Sequence, residues 1–91
     1  MPEVHFTIQL PDGTQKTCYS PSSVVLQHFR PQQELTIAEF VRESRIALTE
    51  ASERVQRKFG FSCTAAAAQL EEIELFSQPF PPDDPVRILS V

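Results

Sequence analysis

The sequence predicts an α+β fold: an N-terminal β-hairpin, a short helix, two antiparallel helices and a C-terminal strand, with the helices on one face of a three-stranded mixed sheet. Three observations lead there. Residues 4–10 alternate apolar and polar with the period of a half-buried strand. Residues 36–59 repeat apolar side chains at steps of three and four, the period of a helix with one buried side. Residues 86–91 are apolar on both faces, as a strand inside a fold is. With 91 residues, 41% hydrophobic and 22% charged, the chain fits a single α+β domain over residues 1–91.

In the first strand Val4, Phe6, Ile8 and Leu10 share a face and His5, Thr7 and Gln9 the other. Pro11-Asp12-Gly13-Thr14 is turn chemistry: proline presets φ at the first corner and glycine accepts the positive φ that closes a hairpin. The returning strand, Gln15 to Tyr19, is polar enough for a sheet edge. Ser20-Pro21 then offers an N-cap serine with proline at the first helical position, and a helix of one or two turns is expected before Arg30-Pro31 stops it. Gln32 to Leu35 reads as a short connection.

The main helix begins at Thr36, whose spacing to Glu39 is that of a capping box, in which hydroxyl and carboxylate each satisfy a backbone N–H left orphaned by the first turn. Ile37, Phe40, Val41, Ser44, Leu48, Ala51, Val55 and Phe59 form its expected inward stripe. Gly60 fits the left-handed residue that ends a helix, with Phe61 placed to contact Val55. Ser62 can cap a second helix from Cys63 to about Ser77, with Ala66, Leu70, Ile73 and Phe76 or Ser77 inward and Glu71, Glu72, Glu74 and Gln78 outward. Pro79 to Pro85 is too rich in proline for helix or central strand, so it is an extended connector pinned by Phe80. A helical crossover favours a parallel pairing of the terminal strand with the first, in sheet order 2-1-3.

The net charge of -4 and pI near 5.0 argue against nucleic acid or an anionic membrane as a partner. No stretch approaches the roughly 18 apolar residues that span a bilayer. The amino terminus has no basic segment followed by an apolar run, so the expected address is the cytoplasm. Cys18 and Cys63 lack metal-ligand or CxxC spacing and are expected as free thiols; no cofactor and no metal is expected.

Few constellations point to chemistry. Cys63 is the sharpest candidate, because a thiol in the first turn of a helix is favoured as thiolate, yet no basic residue adjoins it and its neighbours look like core; a structural cysteine is the preferred reading. His5 and His28 show no ligand spacing, His5 being expected in solvent and His28 half buried beside Phe29. The arginines and lysine of the main helix alternate with Glu39, Glu43, Glu50 and Glu53 and read as a solvated face. Glu71, Glu72, Glu74, Asp83 and Asp84 could dock a basic partner, but an ordinary charged face accounts for them. Leu75 falls on the Glu71 side of its helix, where it is either shielded by the proline-rich connector or exposed as part of a partner surface.

Pro11-Asp12-Gly13, Cys18-Tyr19-Ser20-Pro21-Ser22, Ala51-Ser52-Glu53-Arg54-Val55, Lys58-Phe59-Gly60-Phe61-Ser62-Cys63 and Gln69-Leu70-Glu71-Glu72-Ile73-Glu74 resemble a small bacterial family of nitrogen starvation response proteins, over nearly the whole chain. Phe59 stands where that family has tyrosine. The resemblance implies a gene cluster with a nitrilase, a radical S-adenosylmethionine enzyme, an acetyltransferase, a glycosyltransferase and a flavin oxidoreductase, and supplies no catalytic residue. Three functions follow as expectations. The leading one is a non-catalytic accessory or adaptor protein that binds a clustered enzyme or its intermediate. The second is a small-molecule or carrier-type binding domain, as a monomer or a homodimer, with a pocket near Cys18, Tyr19, His28 and Phe29. The third is a thiol enzyme or redox sensor using Cys63, assisted by Cys18.

Overall fold

Phe6 and Ile8, both without exposed surface, fix the inner face of the sheet in the computed structural model, which describes residues 3–60 and 64–91. They lie on β1 (Val4–Gln9), which pairs antiparallel with β2 (Gln15–Ser20) so that Phe6 faces Cys18 and Ile8 faces Lys16. The turn between them closes as its residues dictate. Leu10 N–H donates to Thr14 O at 2.7 Å, Gly13 takes φ +91°, and Thr14 N–H donates to Asp12 Oδ1 at 2.9 Å, which holds the Asp12 carboxyl below its ordinary range.

The short helix after β2 is a 3-10 helix, Ser23–Gln27, capped by Ser22 and not by Ser20. Ser20 is buried and its hydroxyl donates to Ser22 O at 2.8 Å, which commits that side chain to shaping the chain before the helix starts. Part of the expected connection is a fourth strand, β3 (Glu34–Thr36). It runs without a break into α1 (Ile37–Phe59), where the capping box is complete: Glu39 N–H donates to Thr36 Oγ1 at 3.1 Å and Thr36 N–H to Glu39 Oε1 at 3.2 Å. Two further orphaned donors of that helix end go to the proline-rich connector, Ile37 N–H to Asp84 O at 2.8 Å and Ala38 N–H to Pro82 O at 3.1 Å. Gly60 ends α1 in the left-handed region at φ +81°. The expected contact of Phe61 with Val55 and the cap at Ser62 lie outside the described residues. α2 spans Thr64–Ser77, and β4 spans Pro85–Ser90.

All pairings in the four-stranded sheet are antiparallel, in the order β2-β1-β4-β3. The terminal strand does lie beside the first and inside the sheet, but it runs antiparallel to it, not parallel, and among the described residues the sheet has four strands, not three. The reason is the number of helices in the connection. α1 carries the chain across the sheet and α2 carries it back, so β4 starts where β3 stopped, with Thr36 opposite Pro85. A single crossover helix would have brought the chain in from the far end.

Both helices cover the sheet face that carries Phe6, Ile8, Cys18, Val86 and Ile88, and Phe29, Phe40, Ala47, Leu48 and Ile73 complete the core against it. Phe29 stands between Phe6 and Phe40 with ring centroids 5.4 and 5.7 Å away. Ile37, Phe40, Ser44, Leu48, Ala51 and Val55 are buried as the helical period requires. Phe59 is not: it is 51% exposed, because it stands in the last turn of the helix, one turn past the last buried residue. α2 buries Ala66, Ile73 and Ser77, with Leu70 and Phe76 partly buried against the core, and its expected outward residues Glu71, Glu72, Glu74 and Gln78 are exposed.

Candidate functional site

A groove of about 590 Å³ opens where the first turns of α1, the last turns of α2 and the connector meet. Ile37, Val41 and Phe80, buried or partly buried against the core, give it an apolar floor. The connector is held at its end because Phe80 packs on the core and the carbonyls of Pro82 and Asp84 are bonded to the start of α1. The walls differ in charge. Arg42 and Arg45 line it from α1, and Glu71 and Glu74 from α2. Arg45 Nη2 donates to Glu74 Oε2 at 2.7 Å and ties the walls together. Both partners are about half exposed, so the pair contributes little to stability. Arg42 pairs with Glu43 on its own helix, at 3.7 Å.

Leu75 lines this groove and is 62% exposed, the most exposed of the large apolar side chains among the described residues. The connector does not shield it, and its side chain stands exposed. Ser77, 3% exposed, lines the groove from the same helix. Past Arg45 the surface continues into a second depression that holds Ile46, itself 47% exposed.

The other residues singled out from sequence fall elsewhere. Cys18 and Phe29 belong to the core, each 1% exposed. Burial pushes the Cys18 thiol up to about 12, and the nearby Glu72 carboxylate adds to the rise, so at neutral pH it is protonated and a poor nucleophile. Tyr19 is partly buried on the outer strand, where its N–H donates to Gln69 Oε1 at 2.9 Å and its ring leans on His5, which is exposed, at 5.7 Å. His28 is partly buried and faces α1, Nδ1 3.1 Å from Glu43 and Nε2 3.8 Å from Glu50. Thus Cys18 and Phe29 are packing residues, Tyr19 and His28 fasten elements to one another, and none of the four lines the groove. Cys63 lies outside the described residues. Sequence reasoning missed Ile37, Val41, Arg42 and Phe80 as groove residues, since each has an ordinary reading on its own segment and only the fold of the connector over the helix ends brings them together.

The arrangement defines a class: a small α+β protein whose helical hairpin, closed over an antiparallel sheet, presents an open groove with an apolar floor and walls of opposite charge. No helix among the described residues is long and apolar enough to cross a membrane. The chain belongs to the family described as nitrogen starvation-induced protein NitG, whose model matches residues 5–91. Comparisons with curated proteins and with solved structures gave no match.

Proposed function

We infer that the protein is a non-catalytic accessory protein of a biosynthetic pathway induced by nitrogen starvation, acting by binding a partner enzyme or that enzyme's intermediate. The observation that carries this reading is the groove. Leu75 costs free energy where it stands in water, and it stands beside an apolar floor bordered by charges, the composition of an association surface with an apolar centre and a polar rim. Family membership ties expression to nitrogen starvation, and the gene neighbourhood implied by the resemblance supplies enzymes to bind. The test is affinity capture of the tagged chain from nitrogen-starved cells, with the bound enzymes identified by mass spectrometry. An enzyme of the implied cluster should be recovered with the native chain and lost with Leu75→Glu. Recovery of none, or equal recovery with both, removes the reading.

A second reading, a small-molecule or carrier-type binding domain, draws support from the volume of the groove, which falls within the roughly 300–1,000 Å³ typical of ligand pockets. A metabolite screen by thermal shift would raise the melting temperature of the native chain, because a ligand that binds the folded state alone stabilises it by mass action. Ala38→Trp, which fills the groove from an exposed position on its wall, should abolish the shift.

A further inference from the structure

The two walls of the groove have opposite charge, and a surface of that kind is complementary to itself. We propose that the groove takes a second copy of this chain, forming a two-fold symmetric dimer in which the helical hairpins meet face to face. The inference rests on the association reading above and names the first occupant of that surface.

The argument is one of symmetry and charge. In a two-fold interface, a residue that contacts a second residue across the axis is contacted back by the same pair with roles exchanged. Among the described residues Arg42 on the α1 wall is within ion-pair distance of Glu43 on its own helix, at 3.7 Å, and of no carboxylate across the groove, while Glu71 stands on the α2 wall. An axis through the groove that sets Arg42 against the partner's Glu71 therefore sets Glu71 against the partner's Arg42, and two pairs form for one placement. The Arg45–Glu74 pair, which already spans the walls, lies between them at the centre. A partner with one uniform charge would satisfy one wall and be repelled by the other, so the alternation selects against a plainly basic or plainly acidic ligand.

The apolar side chains fit the same placement. Leu75 projects from the wall of a groove floored by Ile37, Val41 and Phe80, so each copy supplies both the knob and the socket. Ile46, 47% exposed in the adjoining depression that shares Arg45, adds one further apolar side chain beside the groove. Removing Leu75 from water twice per dimer is a gain that a monomer cannot make.

Sedimentation equilibrium over a range of protein concentrations tests this. The native chain should approach twice its 10.3 kDa mass. Leu75→Glu, Arg42→Glu and Glu71→Arg should each weaken self-association by about tenfold or more, while circular dichroism stays native because all three side chains are exposed. The decisive arms are the combinations. Arg42→Glu with Glu71→Arg in one chain should restore the dimer, and an equimolar mixture of the two single variants should form a heterodimer more readily than either forms a homodimer. A native chain that remains monomeric at the highest attainable concentration overturns the proposal, as does a dimer indifferent to all three substitutions or one in which the double variant is no better than the singles. A monomer that still captures a cluster enzyme through Leu75 would overturn self-pairing alone; a dimer that captures none would overturn the accessory reading alone.

Discussion

α1 turns Ile37, Phe40, Leu48, Ala51 and Val55 into the core and gives its outer surface largely to arginine and glutamate, whereas α2 buries Ala66, Ile73 and Ser77 and leaves Ala65, Ala67, Ala68 and Leu75 at the surface. The first helix is thus held by large apolar side chains along most of its length. The second is held by fewer and smaller ones, helped by the Gln69 bond to β2, the Arg45–Glu74 pair and Lys16 lying over the Phe76 ring at 5.9 Å. A chain this short buries a limited share of its surface, and the contrast shows where it spends its large side chains: on fixing one rod, while the other leaves apolar surface exposed.

That contrast can be broken by truncation. Leu48→Ala should lower unfolding free energy by about 3 kcal/mol, through lost burial and the cavity left in the core. Urea titration would show it, and Ile73→Ala should cost no more; a larger loss at Ile73 would mean that α2 is the principal support. The alkaline limit of stability comes next. The Cys18 thiol is raised in the folded protein from its ordinary 9.0 to about 12. Above pH 9 the unfolded chain releases that proton while the folded chain keeps it, so stability is intact below pH 9 and declines as pH rises towards 12. Cys18→Ala should flatten that decline in melting temperature, and an unchanged slope would show that other groups set it.

Smaller effects sharpen the comparison. Thr36→Ala, which removes half of the α1 capping box, should cost about 1 kcal/mol in urea unfolding. Gln69→Ala should cost a similar amount, about 1 kcal/mol, and its signature is local: amide exchange at Tyr19 should quicken while exchange in β1 stays slow. Glu74→Ala, which breaks an exposed pair, should change stability by less than about 1 kcal/mol. Should it prove as costly as Thr36→Ala, the tie between the helices contributes more than an exposed ion pair ordinarily does.

Local chemistry explains why so much of the fold is legible in the residues. The capping box at Thr36 and the left-handed Gly60 are decided by side chains within a few positions, and both are found as read. Alternation in Val4 to Leu10 identifies the first strand, and the two apolar faces of Val86 to Val91 place β4 inside the sheet, between β1 and β3. β3 escaped because three residues, Glu34 to Thr36, are too few to show alternation. The direction of β4 depends on counting helices in the connection, a global property that no local pattern carries. The site divides in the same way. Leu75 is visible as an apolar residue on an acidic helix side, while the floor of the groove exists only once Phe80 and Pro82 have been laid against the start of α1. Cys18, Tyr19, His28 and Phe29 share a stretch of sequence, yet their side chains go to the core, the outer strand and the side of α1.

The bond from Tyr19 N–H to Gln69 Oε1 reaches beyond the stability of one helix. β2 is the outermost strand on its side of the sheet, and a free main-chain donor there invites a further strand, then another, in open-ended stacking. With a side-chain amide seated on that donor, and α2 lying alongside, growth along that flank is discouraged in advance.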